Sequence, residues 1–547
     1  MSSRGKPRIY ERAAYLVNPA WGQKIYNDRR RREQEEKLDA LGGALNEVRM
    51  SATGYGAHGA SKTKNSLIGW LYAGGSAEDD IDLQGSVLRK RARDLYVGGG
   101  LGRGAPSTLV TNVVGWGVTP KPQIDGELLG MSDDACAEWE RKTLREFNLW
   151  AKSPMCDAAR QQNFWGIQEL AFRSQLVSGD VFAIFGMKEN KRTPYQTVLR
   201  LLESDRVCTP DSDGESEVKS KDGGGRIIDG VEIDKEGAVV RYHISNRHPL
   251  MEESTESLAW TTIEAFGSDT GFPNILHLMT FERPEQRRGI PFVAAMIEQI
   301  KQLDRYIDSE LAANIVSSML TAFLISDRDD GHLGIEDAVN DEEKVTDDDL
   351  KLELAPGAIY SLPPGKKVHE VNPLRSNSAF EGFVTKLETL IGAGVEIPEE
   401  VLMKRYNSNY TAARAALLDF WRIVRRYRAR FNDAFNQPVY EQWLAEAVAL
   451  GRIEAPGFFE DAAIREAWCG CKWMGASQGH VNPVQEANAA KTRIELNIST
   501  EEQEAAEYNG NDWNAVVRQR KKEIAAFDDG QSGQTKPKKE DDKNAKP

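Results

Sequence analysis

The stretch from Ile290 to Ile325, IPFVAAMIEQIKQLDRYIDSELAANIVSSMLTAFLI, is the most regular part of the sequence and decides how the rest is interpreted. Pro291 suits the first turn of a helix. Apolar residues then recur at steps of three and four, the spacing of one helix face. They are Val293, Ile297, Ile300, Leu303, Ile307, Leu311 and Ile315. The pattern predicts a helix of about 50 Å, at 1.5 Å per residue. A small monomer core would not cover so long an apolar stripe, so we expect it to pack against a neighbouring copy.

An acidic interval follows this stretch and separates it from a second helical region. Residues Asp327 to Arg375 carry 13 acidic and 6 basic side chains and include the strand-like segment KLELAPGAIYSL. Phe380 to Gly392 returns to a helical pattern, and the polar segment KRYNSN, Lys404 to Asn409, follows as a loop. The sequence therefore predicts two helices that bracket an acidic insertion.

A second long helix is predicted to start at Thr411. Pro438 should kink it, and Val439 to Leu450 continues the helical pattern. Its apolar stripe consists of Leu417, Phe420, Trp421, Val424, Tyr427, Phe431 and Phe435. Between Arg414 and Arg430 the helix carries a single acidic residue, Asp419, and six arginines, which are Arg414, Arg422, Arg425, Arg426, Arg428 and Arg430.

The flanking regions mix helices, strands and low-complexity segments. The strand candidates VFAIFG, YQTVLRLLE, AVVRYHIS and NILHLMTF lie between Val181 and Phe281. We predict loops at Ser51 to Ser66 and Asp211 to Gly225, and a disordered tail from Gln531 onward. Helices are predicted over Lys24 to Leu41, Asp80 to Tyr96, Cys136 to Asn148, Phe164 to Ser178, Val484 to Ile494, Glu501 to Tyr508 and Trp513 to Phe527.

Composition excludes several classes of protein. The 547 residues include 70 basic and 84 acidic side chains, a net charge of −14, which argues against a protein that coats a nucleic acid backbone. The sequence has no run of about 18 apolar residues, so no membrane-spanning helix is expected. The amino terminus, MSSRGKPRIY, lacks the apolar core of a signal peptide. Five cysteines in so long a chain indicate reduced thiols.

A search for catalytic and ligand-binding motifs gives nothing that predicts an enzyme, a cofactor or a metal. Lys62 and Lys366 lack the complete Gly-Lys-Ser/Thr of a phosphate-binding loop. GGGLGRGA, Gly98 to Ala105, is interpreted as a helix end followed by a flexible turn. GASQG, Gly475 to Gly479, is interpreted as a turn because no strand or histidine is placed for a hydrolase serine. Cys469 and Cys471 lack a second ligand pair and are expected to be small buried thiols.

Several separate stretches, taken in order, resemble the lambda-like family of portal proteins of tailed bacteriophages. Together they span most of residues 75–495. They are Leu88 to Leu95 (LRKRARDL), Thr111 to Pro120 (TNVVGWGVTP), Leu202 to Val207 (LESDRV), Gly230 to Asp234 (GVEID), His248-Pro249, His277-Leu278 with Arg287 to Pro291 (RRGIP), Asn409-Tyr410 leading into TAARAALLDFWR, and Trp473 with Asn482 to Glu486 (NPVQE).

The resemblance implies a helix-rich α+β fold that assembles as a ring, usually of twelve subunits. The family has an α/β wing, a two-helix stem, a clip, a tunnel loop and a helical crown. Such a ring occupies one capsid vertex of the virion, is assembled in the host cytoplasm, and admits double-stranded DNA during packaging and ejection. Its implied partners are further copies of itself, the terminase large subunit, the major capsid and scaffold proteins and a head-tail adaptor, with no membrane and no cofactor.

The same resemblance divides the chain into nine parts. They are a charged and flexible amino-terminal segment (1–74), the first part of the wing (75–290), stem helix 1 (291–326), the clip (327–375), stem helix 2 (376–396), the tunnel loop (397–410), a long kinked wing helix (411–450), the crown with the carboxy-terminal helices (451–527) and a disordered tail (528–547).

Three groups of residues follow as site predictions. The channel-facing loop contributes Lys404, Arg405, Asn407 and Asn409, whose two cations either make weak phosphate contacts or simply face solvent. The clip face toward terminase or adaptor contributes Asp347, Asp348, Asp349, Lys366 and Lys367. The subunit interface contributes Ile300, Leu303, Ile307, Leu311, Arg425 and Arg426, because the apolar stripe of the second long helix favours ion pairs between subunits over a nucleic acid surface.

Two other functions compete with a portal. A packaging ATPase is disfavoured by the missing phosphate-binding loop. Another helical capsid component, such as a scaffold or coat protein, stays open, although coat proteins are generally richer in sheet and lack a pair of long helices around an acidic insertion.

Overall fold

The computed structural model describes residues 74–210, 217–219, 225–249, 251, 257–318, 322–324, 359–361, 380–406, 410–478, 482–510 and 513–531, together with residues 24, 25, 27–29, 31 and 66. The chain divides into two compact units, Met1–Gly75 and Ser76–Pro547. In the first unit, residues 24, 25, 27–29 and 31 are helical, within the predicted helix Lys24 to Leu41. The predicted loop at residues 51–65, most of the acidic interval 327–375 and the tail beyond residue 531 lie outside the described residues.

The second unit is a helix-rich α+β fold. Its described helices are α1 (Leu83–Gly98), α2 (Gly100–Val113), α3 (Gly126–Leu129), α4 (Asp133–Ala151), α5 (Phe164–Ser178), α6 (Ile297–Ser318), α7 (Phe380–Gly394), α8 (Glu399–Leu402), α9 (Tyr410–Phe431), α10 (Gln437–Ala449), α11 (Ala462–Cys469), α12 (Pro483–Glu495), α13 (Glu501–Asn509) and α14 (Trp513–Gln531). Its described strands are β1 (Thr119–Pro122), β2 (Asp180–Met187), β3 (Thr197–Glu203), β4 (Glu217–Lys219), β5 (Arg226–Ile228), β6 (Val231–Ile233), β7 (Val239–Ser245), β8 (Trp260–Glu264), β9 (Ile275–Met279), β10 (Ala322–Leu324), β11 (Ile359–Ser361) and β12 (Cys471–Met474).

The two larger sheets among the described strands are both antiparallel. The first has the order β3-β2-β9, and the second has the order β4-β5-β6-β7-β8. A buried cluster that includes Phe182, Leu202, Val231, Tyr242 and Ile275 joins them, because each sheet turns one apolar face toward the other. The four predicted strand segments are confirmed, and the predicted loop over residues 211–225 contains the short strand β4.

An aromatic core holds the helices together. Phe147 of α4 lies 5.7 Å from Phe164 of α5 and 5.0 Å from Trp443 of α10, measured between ring centroids. Trp150, one helical turn after Phe147, donates from Nε1 to the carbonyl of Thr197 at 2.8 Å and so ties α4 to β3. These large aromatic side chains are fully buried, and their packing holds the helices in fixed positions.

The prediction for the first long helix is too long at both ends. Ala294–Met296 forms a single 3-10 turn, and the α-helix runs only from Ile297 to Ser318, about 33 Å at 1.5 Å per residue. At the amino-terminal end, the amide of Phe292 donates to Leu176 O at 2.9 Å, which holds this segment on α5. At the other end, β10 pairs in parallel with β11, so residues 322–324 are strand instead of helix.

Two further local predictions are corrected. Residues 98–105 contain no flexible turn, because α2 starts at Gly100 directly after α1. Gly102 packs so closely that a Cβ there would lie 2.5 Å from Leu95 O. Cys471–Met474, within the part assigned to the crown and carboxy-terminal helices, is a strand that pairs with β1 about 350 residues earlier, a contact that no local pattern reveals.

The kink predicted at Pro438 falls just after a π-helical turn, Asn432–Asn436. Pro438 lies in the first turn of α10 and donates no backbone hydrogen bond there. Asn436 is buried in this turn and accepts from the Nε2 of Gln168 on α5 at 2.9 Å. The irregular turn is therefore fixed to the core, and the helix continues through it.

Candidate functional site

The segment predicted to face a channel connects α7 to α9 and is folded onto the chain. Glu396 and Lys404, at its two ends, both have φ +55°, a left-handed conformation that non-glycine residues rarely adopt. Between them, Pro398 leads into α8, whose Val401 and Leu402 are buried. The expected loop is therefore partly helical and anchored by two apolar side chains.

Two ion pairs attach the ends of this segment to neighbouring helices. Nη1 of Arg405 lies 3.1 Å from Oε2 of Glu388 on α7, a carboxylate that is only 4% exposed. Burial raises the pKa of Glu388, and the positive charge of Arg405 opposes that rise. At the other end, Arg426 of α9 pairs with Glu396. Both contacts lie within one chain.

The predicted loop residues therefore differ in what they can contact. Arg405 is already engaged with Glu388, whereas Lys404 is exposed and forms no ion pair with any residue that the structure describes. Asn407 and Asn409 lie outside the described residues. Lys404 is thus the cation of this segment that is free to meet an external anion.

The predicted interface positions on α6 divide into buried and exposed residues. Ile300 and Leu303 are fully buried, so the structure assigns them to the core of this chain and not to a contact with another subunit. Ile307 and Leu311 are 41% and 58% exposed, and Ile315 continues the same stripe at 47%. The outward apolar stripe therefore occupies only the second half of α6.

Helix α7 extends this apolar surface. Tyr306 of α6 stacks on Phe380 with ring centroids 5.5 Å apart and meets the edge of Phe383 at 5.1 Å. Phe383 and Leu390 are nevertheless about half exposed. The two helices leave apolar side chains uncovered on a single chain, which is typical of a surface that binds another protein.

The arginines of α9 are less available than predicted. Arg426 pairs with Glu396, and Arg428 donates to Asn112 O at 2.6 Å and Val113 O at 2.9 Å. Burial, together with the nearby Arg425, lowers the pKa of Arg428 to about 10. Arg425 is exposed and has no ion pair within the described part of the chain, so it keeps its predicted availability.

The predicted clip residues Asp347, Asp348, Asp349, Lys366 and Lys367 all lie outside the described residues. The structure describes only the parallel pair β10–β11 at the boundary of this interval, with Ala322 opposite Ile359. Because β10, which follows α6, pairs with a strand 37 positions later, residues 324 and 359 are held close together.

A buried ion cluster lies between the sheets and the helices, and the sequence analysis did not identify it. Asp180 of β2 and Arg288 are both fully buried, with Nε to Oδ2 at 2.7 Å and Nη2 to Oδ1 at 3.3 Å. The guanidinium also donates to Ser204 O at 2.8 Å and Asp229 O at 2.6 Å. His277 lies 3.2 Å from Asp180. A buried pair with its hydrogen bonds satisfied in this way fixes the relative positions of the segments that carry it.

A second layer of this ion cluster lies on α1. Arg89 contacts Asp229 at 3.2 Å and Asp205 at 3.5 Å, and Arg93 pairs with Asp205. Three arginines, at positions 89, 93 and 288, thus face three aspartates, at 180, 205 and 229, so these six charges balance. Burial alone would raise the pKa of Asp180, but the charge of Arg288 and the hydrogen bond with His277 hold it well below its ordinary value.

Asp82 is the surplus acid of the ion cluster. Its side chain is 8% exposed, and neither carboxylate oxygen has a hydrogen-bond partner. Burial, reinforced by the negative charge of Asp229, raises its pKa to about 7. With the other charges already balanced, the neutral acid is the form that this position accommodates.

The ion cluster brings together three of the stretches on which the family resemblance rests, although they lie far apart in the sequence. Arg89 and Arg93 come from LRKRARDL, Asp205 from LESDRV, and Arg288 from RRGIP. In each stretch a charged residue lies inside or beside an apolar pattern. Such a residue is a candidate for burial as part of an ion pair. The pairing itself depends on contacts across more than 100 residues, which the sequence pattern does not contain.

Among the cavities formed by the described residues, three lie beside the helices discussed above. A groove of about 670 Å³, here called the α9 groove, lies between α9, β12 and α12 and is lined in part by Trp421, Arg425, Arg428, Gly475 and Ala476. The Lys404 pocket, about 370 Å³, is lined in part by Thr111, Asn112, Leu402 and Lys404. The Phe281 pocket, about 310 Å³, is lined in part by Leu176, Phe281, Phe292, Arg426, Tyr427 and Arg430.

The cysteines that the structure describes form neither a disulfide nor part of a metal site. All five are free thiols, and Cys469, at the end of α11, is buried, which raises its pKa. Within the described ranges, no His, Cys, Asp and Glu side chains form a group that would hold a metal ion. The helices described here also include none with the length and apolar content needed to span a bilayer.

Comparisons with known proteins were made on the sequence and on the structure. The family model described as "Phage portal protein, lambda family" matches residues 63–428. Portal protein B of Escherichia phage lambda is 22% identical over 492 residues, covering 83% of this chain and 89% of that protein. The portal protein of Escherichia phage N15 is 23% identical over 481 residues, covering 84% and 87%.

Two similar solved structures come from gene transfer agent particles. A chain from "Virion of native gene transfer agent (GTA) particle" has a TM-score of 0.37 and 12% identity, covering 76% of this chain and 89% of that one. A chain from "Neck of empty GTA particle computed with C6 symmetry" has a TM-score of 0.39 and 14% identity, covering 70% and 93%.

Proposed function

The chain belongs to the lambda family of phage portal proteins, and we propose that it forms the ring at one capsid vertex through which double-stranded DNA enters and leaves the virion. The observation that carries this proposal is the family match, which extends over residues 63–428 and so covers the two larger sheets, both stem-like helices and most of α9. The ring contains twelve copies in the proposal, and it docks the terminase large subunit during packaging and a head-tail adaptor afterwards. Its role is structural, with no catalysed reaction.

The uncovered apolar stripe supports assembly. Ile307, Leu311 and Ile315 on α6, with Phe383 and Leu390 on α7, would be buried when the two helices of one copy pack beside those of the next. A head-to-tail contact repeated with a constant rotation closes into a ring. We assign the subunit interface to these five positions and to Arg425, in place of Ile300 and Leu303.

The channel assignment rests on charge. The chain is acidic overall, with a net charge of −14, so a DNA duplex would find few counterion-releasing contacts and would move without being held. Lys404 is the exposed cation of the segment between α7 and α9, and we propose that it makes transient phosphate contacts. The acidic interval 327–375, with Asp347, Asp348, Asp349, Lys366 and Lys367, is proposed as the clip that meets terminase and adaptor.

Electron microscopy of the purified full-length protein, together with its native mass, tests the proposal. We expect rings with a central hole and a mass of about twelve times 61.0 kDa. Closed shells without a hole would instead support a coat protein. A monomer that persists at high concentration and in the presence of scaffold protein would contradict the proposal.

A pair of variants tests the assigned interface. Leu311→Asp combined with Ile315→Asp places two charges in the stripe and should prevent rings while leaving the subunit folded, because both side chains are already exposed in the single chain. Met187→Asp is the matched control, since Met187 is 66% exposed on a strand end elsewhere. Rings that form equally well in the double variant would exclude the α6 stripe as the interface.

A further inference from the structure

Trp116 lies on the surface, on a turn whose backbone is packed against the side chain of Trp165. It is 85% exposed, the highest value among the large apolar side chains that the structure describes. It stands between Gly115, with φ +60°, and Gly117, with φ +117°. A Cβ at Gly117 would lie 1.9 Å from Cδ1 of Trp165, so only glycine fits beneath the turn. The backbone is thus committed to the conformation that points this indole outward.

Buried hydrogen bonds hold the turn in place. The amide of Val118 donates to Oε1 of Gln168 at 2.9 Å, and Nε2 of Gln168 returns to Val118 O at 2.9 Å. Gln168 is fully buried and also bonds Asn436. A rigid, exposed tryptophan loses little conformational entropy on binding, and tryptophan is among the residues most enriched in binding hot spots. The turn therefore has the properties of a preformed anchor.

The cavities of the same unit differ in whether they can receive this anchor from another copy. The α9 groove includes Ala476, whose Cβ lies against the Gly115 turn, and the Lys404 pocket includes Thr111 and Asn112, one helical turn before it. Both therefore open beside Trp116, and pairing through them would give a two-fold dimer instead of a ring.

The Phe281 pocket lies at the opposite end of α5. Trp165, beneath the Trp116 turn, begins this helix, and Leu176, which lines the pocket, is eleven residues later, about 16 Å along the axis. Anchor and pocket are therefore separate surfaces, as a head-to-tail contact requires.

The chemistry of the Phe281 pocket suits an indole. Phe281 is 71% exposed at its rim, and Phe292 and Tyr427 form an aromatic wall with ring centroids 6.4 Å apart. The guanidinium of Arg426 is already paired with Glu396 at the pocket wall and lies 5.4 Å from the Tyr427 ring, whereas Arg430, on the same helix face, is the second guanidinium that lines the pocket. Aromatic rings pair with an indole edge, and arginine stacks on its face. The volume of about 310 Å³ is large enough to hold one indole side chain.

We propose that Trp116 of one copy inserts into the Phe281 pocket of the next copy and so sets the lateral register of the ring. The proposal rests on ring formation as the proposed function. It adds a specific contact between wing surfaces to the apolar stripe of α6 and α7.

Photo-crosslinking tests the contact. A photoreactive benzophenone amino acid replaces Trp116, and subunits labelled with ¹⁵N are mixed with unlabelled subunits before assembly. We expect mixed-isotope crosslinks from position 116 to peptides that contain Phe281, Phe292 or Arg426. Mixed crosslinks to other peptides, crosslinks confined to single copies, or their absence in intact rings would overturn the pocket assignment. Failure to form rings with the unsubstituted chain would instead overturn the proposed function itself.

Assembly measurements supply a second test. Trp116→Ala should raise at least about tenfold the concentration at which half of the protein is in rings, because a buried tryptophan anchor is a dominant contact. Phe281→Ala should have a similar effect, and the double variant should add little to either. Phe459→Ala, which removes an aromatic side chain that is 57% exposed outside both surfaces, is the control. Unchanged assembly of Trp116→Ala would refute the contact.

Discussion

Replacing Asp82 by asparagine should stabilise the protein at alkaline pH and have little effect in acid. Asp82 is the surplus acid of the buried ion cluster, with 8% exposure and no hydrogen bond to either oxygen. Its pKa is raised from 3.8 to about 7, first by burial and then by the negative charge of Asp229. The folded state therefore holds a proton that the unfolded chain releases near pH 4. The stability that this proton provides is lost as the pH rises from about 4 to 7.

The size of the effect follows from the shift. A rise from 3.8 to about 7 corresponds to at most about 4 kcal/mol, since each pKa unit is worth about 1.4 kcal/mol. Water entry and relaxation around the charged form reduce it, so we expect about 2 kcal/mol. With a folded-state pKa of about 7, roughly 60% of this change falls between pH 5 and pH 8.5. The stability advantage of Asp82→Asn should thus be about 1 kcal/mol larger at pH 8.5 than at pH 5.

Urea unfolding of both proteins, in the same assembly state and at both pH values, measures this difference. Asp94→Asn is the control, because Asp94 also lies on α1 but its side chain is 76% exposed and lies outside the buried ion cluster. Infrared spectroscopy adds a direct signal, a protonated carboxyl band near pH 5.5 that the Asp82→Asn variant lacks. The reasoning would be refuted if the difference in unfolding free energy between variant and wild type did not change with pH. It would also be refuted if the wild type became more stable relative to the variant as the pH rises.

The remaining predictions concern the other charges. Arg288→Met should lower the free energy of unfolding by about 3–5 kcal/mol, because it leaves Asp180 without its buried counter-charge. Adding Asp180→Asn should recover part of that loss, and a melting curve of Arg288→Met like that of the wild type would count against the cluster. Arg405→Ala should lower stability by about 1 kcal/mol, since Glu388 then remains buried and unpaired, without preventing rings. Lys404→Ala should leave unfolding unchanged and reduce the DNA retained in particles, and normal genome retention would contradict its channel assignment.

The sequence predicts local elements well where apolar spacing is regular. The helix Phe164–Ser178 is found at its predicted bounds, and the strand segment VFAIFG lies within β2. The helix expected from Pro291 fails at its ends for tertiary reasons. Phe292 is held by a hydrogen bond to α5, and residues 322–324 pair with a strand 37 positions later. Periodicity alone identifies that an element exists, but contacts decide where it stops.

For the predicted site residues as well, the sequence pattern identifies the element, and tertiary contacts decide what each residue does. The pattern on α6 identifies one apolar stripe, yet it does not separate Ile300, which is buried under α1 and α7, from Leu311, which is 58% exposed. Likewise, the arginine run on α9 predicts charge on a helix but not that Arg428 is used to hold the carbonyls of α2. Which members of a stripe stay uncovered depends on the neighbours that the fold places beside them.

The buried ion cluster contributes more to positioning the segments that carry it than to the net stability of the fold. Replacing a buried ion pair by well-packed apolar residues is often neutral or stabilising, so the net gain from Asp180 and Arg288 is small even though breaking the pair is costly. Its geometry, however, joins β2, the β5–β6 turn and the residues directly before Pro291, which lead into α6. An apolar cluster would tolerate sliding among these segments, whereas a guanidinium with each contact satisfied does not. We therefore expect the ion cluster to fix the angle at which α6 leaves the sheets, the angle on which a repeated contact along the α6 stripe would depend.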